Sequence, residues 1–159
     1  MPYRPDSDAV LTMVAPTGSP LSLKRDTDTV RQSFSGGAGL LSTVVDYGRF
    51  LQMLLNGGEY NGKRLLGRNS VRMMTMNQIG DINRGDNKFG LGFGITTEEG
   101  SARMPMQEGT FEWGGMFATT YWVDPKEKLV ALIYRNIYPT SLGTIVSQFK
   151  VMSYAAMND

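Results

Sequence analysis

The sequence of 159 residues contains neither cysteine nor histidine. The absence of cysteine excludes disulfide bonds, thiol nucleophiles and thiolate metal sites. The absence of histidine excludes the Ser-His-Asp triad, the Cys-His pair and nearly every catalytic zinc site. If the chain takes part in hydrolysis, another side chain must act as the base, and lysine and tyrosine are the usual substitutes. The composition therefore predicts no metal and no cofactor.

Excess charge and long apolar runs are also missing. The formal net charge is +1 with both signs interspersed, so no basic face predicts binding to nucleic acid or acidic lipid. No apolar run approaches the length of a membrane-spanning helix, and residues 1–6 lack the apolar core of a signal peptide. The length suits one compact domain with its own core.

The apolar periodicity predicts three helices. The first begins after the candidate caps Ser42 and Thr43 and ends at Asn56, which two glycines follow. The second runs from Ser70 to Asn77, and its core residues are predicted to be Val71, Met73, Met74 and Met76. The third runs from Ser141 to Ala156, and its inward stripe is predicted to be Leu142, Ile145, Val146, Phe149 and Met152.

Two weaker patterns precede the first helix. Residues 1–34 have no sustained period and predict an extended loop, with at most a short strand from Ala9 to Val14. Gly37-x-Gly39 could belong to a dinucleotide-binding fingerprint, but no strand precedes it and the third glycine is absent. A loop that leads into a buried helix is the better interpretation.

Alternation and turn residues predict the strands. Phe89 to Ile95 alternates apolar residues with glycines, which predicts one strand whose bare face packs closely against another element. Phe117 to Val123 and Leu129 to Tyr134, joined by a turn that contains Pro125, predict a β-hairpin. Three antiparallel strands with a helix across them, preceded by a helical part, predict an α+β fold.

The order of several short motifs carries a resemblance to a known family. The chain contains Ser35-Gly-Gly-Ala-Gly, later Trp113-Gly-Gly at the entrance to an aromatic strand, and then Val-Asp-Pro and a second apolar strand. In this order the motifs resemble the carboxy-terminal part of the serine β-lactamase-like hydrolases. The chain is most similar to family VIII carboxylesterases and class C β-lactamase-related proteins, in the penicillin-binding-protein superfamily.

The resemblance assigns roles to one stretch. Trp113, Gly114 and Gly115 take the place of the family's third motif, the Lys-Thr-Gly-like strand, and are expected to bind substrate. Met116 is expected to contribute a backbone N–H to the oxyanion hole. Glycines that only let the strand bend against a helix are the alternative. Because the motif lysine is replaced by tryptophan, a neutral ester or amide is expected to fit better than a penicillin.

The family's first two motifs, Ser-x-x-Lys and Tyr-x-Asn, have only misplaced matches. Ser147 with Lys150 and Tyr134 with Asn136 fit these patterns, but both lie after the third motif, whereas the family places them before it. Lys150 is instead predicted to lie on the exposed face of the last helix, and Tyr134 in the final strand. No nucleophile and no general base are therefore assigned within this chain.

The resemblance also carries expectations about the whole protein. It implies an extended crossing segment at 1–34, a helical part at 35–88, and strands with the final helix at 89–159. Met1 resembles an artificial start or a truncated reading frame, so the nucleophile is expected upstream. The chain is expected to associate with itself, or with the missing amino-terminal half, to cover a free edge and an apolar face. A non-catalytic binding or scaffold protein on the same fold is the alternative.

Overall fold

The computed structural model describes residues 3–5, 11–13, 37, 40–137 and 144–157. Near the start of the chain, β1 (Tyr3–Pro5) and β2 (Leu11–Met13) pair in antiparallel fashion. The short strand expected between Ala9 and Val14 is therefore present. The other residues of the expected extended segment lie outside the described part.

The first helix, α1, spans Val44–Leu55 and has the predicted cap. The Thr43 hydroxyl accepts a hydrogen bond from the Asp46 N–H at 3.1 Å, which satisfies a backbone donor that the first helical turn leaves free. Gly57 and Gly58 follow the helix with positive φ angles of 64° and 97°, which L side chains rarely adopt. The predicted end of the helix at Asn56 is thus confirmed, because the two glycines that follow it adopt these angles.

A small hairpin and a short helix follow. β3 (Glu59–Tyr60) and β4 (Lys63–Arg64) are joined by an Asn61-Gly62 turn whose two φ angles are positive, as tight hairpins require. The helix α2 spans only Arg68–Met74 instead of reaching Asn77. Val71 is buried, but Met73 and Met76 are largely exposed, so assigning these two methionines to the core was wrong.

The remaining strands form one antiparallel sheet, so the α+β class is confirmed. Its order follows the chain, and a short helix, α3 (Glu98–Ser101), lies between the second and third strands. The sheet has five strands in place of the predicted three: β5 (Asn87–Phe89), β6 (Gly94–Thr96), β7 (Phe111–Gly114), β8 (Thr120–Asp124) and β9 (Leu129–Ile133).

The glycine-rich run from Phe89 to Ile95 is two strands and a turn, so the prediction of a single strand was wrong. The N–H of Gly90 donates to the carbonyl of Phe93 at 2.8 Å, and Gly92 has a φ of 96°. A Cβ on Gly90 would overlap the Met74 carbonyl oxygen at the end of α2. The glycines therefore serve a turn and a close backbone approach, not one bare face.

Both faces of the sheet are covered by helices of this chain. α1 packs on one face, where it forms the main core with buried side chains that include Phe111, Tyr121 and Val123. On the other face, Phe149 of α4 (Thr144–Ala155) packs edge-on against the buried ring of Trp122, with ring centroids 5.3 Å apart. The prediction that an apolar face needs a second copy to cover it was wrong, because α1 covers the face opposite α4. Met152, predicted to point inward, is 69% exposed.

Candidate active site

The stretch assigned by resemblance lies where β7 leaves the sheet. Trp113 and Gly114 are the last residues of β7 and pair with Tyr121 and Thr120 of β8. On the other side, β6 reaches only to the Gly94–Glu112 pair. Among the described strands, Trp113 and Gly114 therefore have a neighbour on one side only. An open strand edge of this kind can accept an extended ligand.

Met116 lies in a tight turn beyond the strand. The N–H of Ala118 donates to the carbonyl of Gly115 at 3.0 Å, which makes Met116 the second residue of a β-turn. Phe117 also belongs to this turn, so the hairpin strand begins at Thr120 and not at Phe117. In a β-turn the N–H of the second residue has no partner within the turn. The Met116 N–H makes no hydrogen bond to any residue of the described part, and this residue is 46% exposed.

Thr119 accounts for the two glycines of the motif. A Cβ on Gly115 would overlap the Thr119 hydroxyl, and one on Gly114 would lie 3.1 Å from the Thr119 carbonyl oxygen. The Gly115 N–H also donates to that carbonyl at 2.8 Å. A larger residue at position 115 would displace the Thr119 side chain, so glycine suits this turn. Room for a substrate can come only from the exposed side of the strand.

The Trp113 side chain has two neighbours from earlier in the chain, one in β5 and one just before it. Its ring meets Phe89 edge-on with centroids 4.9 Å apart, and the guanidinium carbon of Arg84 lies 4.5 Å from its centroid. Trp113 nevertheless remains 37% exposed. Sequence analysis missed Arg84 because it lies in a stretch interpreted only as loop, and no local pattern indicates which ring a loop arginine will reach.

The misplaced motif matches do not form a catalytic pair. The Ser147 hydroxyl is exposed and donates to the Thr144 carbonyl at 2.9 Å within α4. Lys150 is buried, forms an ion pair with Glu112, and lies 5.7 Å from the centroid of the Trp122 ring. The prediction that Lys150 is exposed was wrong, because Glu112 on the sheet supplies the counter-charge that lets α4 bury it.

Tyr134 follows the last residue of β9 and belongs to a cluster of tyrosine rings. Its centroid lies 6.2 Å from that of Tyr47, which in turn lies 5.0 Å from that of Tyr121. Burial, and then the neighbouring Tyr47, raises the pKa of Tyr134. Burial also raises the pKa of Tyr121, and its hydrogen bond with Tyr47 adds to this. With raised pKa values, Tyr121 and Tyr134 do not provide a ready base.

Two absences within the described part bear on the site. No group of three or more acidic, histidine or cysteine side chains in the described part could hold a metal ion. Within the same residues, no helix is both long enough and apolar enough to cross a membrane.

The described geometry offers a backbone donor, the Met116 N–H, beside an open strand edge. It can polarise a carbonyl group but has no nucleophile beside it.

Comparison with known proteins gives a consistent picture. The family model described as Beta-lactamase matches residues 3–144. Protein Rv1367c and uncharacterized protein MT1414, from two strains of Mycobacterium tuberculosis, are each 34% identical over an alignment of 114 residues that covers 62% of this chain. The chain spans only 28% of the length of these curated relatives.

Two solved structures share the fold. One is EstCE1, a hydrolase with promiscuous acyltransferase activity, with a TM-score of 0.73 and 20% identity over 96% of this chain and 42% of that protein. The other is simvastatin synthase (LovD) from Aspergillus terreus, with a TM-score of 0.71 and 19% identity over 97% of this chain and 41% of that protein. At these identities, the similarity establishes the fold alone.

Proposed function

Since the chain belongs to the beta-lactamase family, we propose that it forms the oxyanion wall of a serine hydrolase that acts on esters or amides by acyl transfer. The observation that carries this proposal is that the Met116 N–H, just beyond the open end of β7, makes no hydrogen bond to any described residue. When a serine oxygen attacks a carbonyl carbon, the carbonyl oxygen becomes an alkoxide. A fixed N–H at that position stabilises this charge more than it stabilises the starting carbonyl.

The nucleophile and its lysine are proposed to come from a segment beyond these 159 residues. The chain's small share of its relatives' length supports this, because 28% and 42% leave ample room for such a segment. The serine would form the acyl-enzyme and expel the alcohol or amine, and water would then release the acid. The Trp113–Gly115 edge would hold the substrate beside the Met116 N–H.

The test of this proposal is complementation. The chain alone should not hydrolyse p-nitrophenyl butyrate, whereas the chain joined to an upstream half that carries Ser-x-x-Lys and Tyr-x-Asn should do so. Alanine in place of the upstream serine should abolish turnover, and Ser147→Ala should leave it unchanged. Turnover by the isolated chain that Ser147→Ala removes would refute the proposal and make Ser147 the nucleophile.

The proposed partner of this chain is that upstream half. When the upstream half is absent, the chain is proposed to associate with itself. β9 is an edge strand of the described sheet, and all of its residues, Leu129–Ile133, are apolar. Leu40, Leu41, Val44 and Val45 are also exposed before and at the start of α1. Edges and patches of this kind favour pairing with another strand or surface. Sedimentation of the isolated chain should show dimers or larger species that the upstream half converts to a one-to-one complex.

A non-catalytic binding protein remains the second candidate function, because the described residues contain no paired nucleophile and base. This candidate function predicts that the chain joined to the upstream half binds esters but does not hydrolyse them. The complementation experiment distinguishes the two candidates directly.

A further inference from the structure

We infer that Arg84 is a specificity residue of the proposed site and that it selects ligands carrying a carboxylate a few bonds from the reacting carbonyl. This inference rests on the proposed function for the identity of the reacting group. It reverses the expectation that replacing the motif lysine by Trp113 leaves the site neutral.

A tight turn fixes the backbone of Arg84. Arg84 and Asn87 exchange backbone hydrogen bonds of 2.9 and 3.2 Å across Gly85-Asp86, and Gly85 takes the positive φ of 63° that such a turn requires. Because Asn87 begins β5, the turn is anchored to the sheet. The side chain of Arg84 therefore projects from a defined point and not from a free loop.

The guanidinium lies over Trp113 at the open edge. Its carbon is 4.5 Å from the ring centroid, and Nη1 is 3.8 Å from the position that a Cβ on Gly94 would occupy. Gly94 begins β6, which is where the sheet leaves β7 uncovered. Stacking on an aromatic face holds the planar guanidinium while its N–H edge stays free for a planar acceptor.

Arg84 has no carboxylate partner among the residues that the structure describes. The nearest acidic residue in sequence, Asp86, forms an ion pair with Arg103 instead. The other described ion pairs also leave Arg84 out, and the residue is exposed. An oriented guanidinium without a counter-ion favours a carboxylate, which it can bind through two parallel hydrogen bonds.

The spacing along the chain sets the size of the ligand. Trp113 and Met116 are three residues apart, so even a fully extended backbone would separate them by at most roughly 10 Å, and the β-turn at Met116 shortens this. Hydrogen bonds occupy about 3 Å at each end, so the ligand needs only a short chain between its carbonyl and its carboxylate. Half-esters of short dicarboxylic acids have this form. Such a ligand would place its carbonyl at the Met116 N–H and its carboxylate at Arg84.

Binding of monomethyl glutarate to the full 159-residue chain tests the inference without any need for turnover. The indole N–H signals of Trp113 and Trp122 are followed by NMR and assigned with Trp113→Phe. Monomethyl glutarate should shift the Trp113 signal saturably and leave that of Trp122, which is buried on the opposite face, unchanged. Neutral dimethyl glutarate, matched in size, should bind at least about tenfold more weakly, since a bond to a charged group contributes about 1.5–3 kcal/mol.

Variants separate charge from geometry. Arg84→Gln should weaken monomethyl glutarate binding about tenfold or more, and Arg84→Lys should restore only part of it because lysine lacks the planar fork. Arg72→Gln, which removes an exposed arginine from α2, is the matched control and should change nothing. Equal binding of the two esters, or full binding by Arg84→Gln, overturns the inference. Failure of the complementation experiment with selective binding intact would refute only the proposed hydrolase function.

Discussion

The hydroxyl of Tyr154 donates a 2.7 Å hydrogen bond to the carboxylate of Asp124 and so ties the last helix to the turn between β8 and β9. Asp124 is fully buried. It also accepts hydrogen bonds from the backbone N–H groups of Gln107, Lys126 and Glu127 at 3.0–3.2 Å. One carboxylate thus organises a turn, a neighbouring loop and a helix, which explains why a charged group lies inside the core.

We expect Asp124 to make the fold sensitive to acid. Burial alone would raise its pKa, but the hydrogen bonds from Tyr154 and from the Glu127 and Gln107 N–H groups outweigh burial and leave the pKa lowered. Its contribution to stability is therefore present above the unfolded pKa of about 3.9 and is lost as the pH falls through the folded pKa. Asp124→Asn should cost about 2 kcal/mol at pH 7.

Urea unfolding between pH 3 and pH 7 measures both effects. Asp124→Asn should flatten the loss of stability at low pH, and Asp81→Asn, on an exposed loop, is the control. An Asp124→Asn variant that is as stable as the parent at pH 7 would contradict a structural role for the carboxylate.

Met116 offers a clean test of the backbone donor. Proline suits the second position of a β-turn, so Met116→Pro can delete the N–H without breaking the Gly115–Ala118 turn. In the joined protein, Met116→Pro should lower kcat by about a hundredfold or more. Met116→Ala keeps the donor and should leave kcat within about tenfold. Circular dichroism checks the fold, and a folded proline variant with full activity would remove Met116 from the oxyanion hole.

Removing one partner of the ion pair between Glu112 and Lys150 should lower the free energy of unfolding. Replacing both partners with apolar residues should change it little. Glu112→Gln leaves a buried ammonium without its counter-charge and should cost about 3 kcal/mol. The double variant Glu112→Leu with Lys150→Met should return to within about 1 kcal/mol of the parent, because apolar side chains fill the same space. Urea denaturation measures both free energies. A Glu112→Gln cost well below 1 kcal/mol would show that water reaches the pair.

Two glycines should respond to alanine in opposite directions. Gly90→Ala forces a Cβ onto the Met74 carbonyl and should cost about 1–3 kcal/mol. Gly48→Ala lies in α1, where a Cβ would meet only Leu132 at an ordinary 3.8 Å, and should gain about 0.5–1 kcal/mol from helix propensity. Thermal unfolding compares the two. Equal effects would mean that the turn after β5 does not approach the end of α2 as closely as described.

Structural features that depend on nearby residues were predicted correctly from the sequence. The Thr43 cap, the hairpin and the fold class depend on neighbouring residues or on periodicity, and all are confirmed. The exposure of Lys150 was misjudged because its environment depends on Glu112, far away in sequence. The run from Phe89 to Ile95 was misjudged because strict alternation does not reveal that Gly92 takes a positive φ. Arg84 was missed because its ring partner comes from another part of the chain.

Two hydrogen bonds from the segment that follows β9 hold the β-turn around Met116 in place. The Nε of Arg135 donates to the Ala118 carbonyl at 3.1 Å, and the Ile137 N–H donates to the Phe117 carbonyl at 3.1 Å. The direction of the Met116 N–H therefore depends on these two hydrogen bonds, whose donors need not contact a ligand. If the Met116 N–H forms the proposed oxyanion hole, a displacement of residues 135–137 would move this donor through the two hydrogen bonds, although neither bond involves Met116 itself.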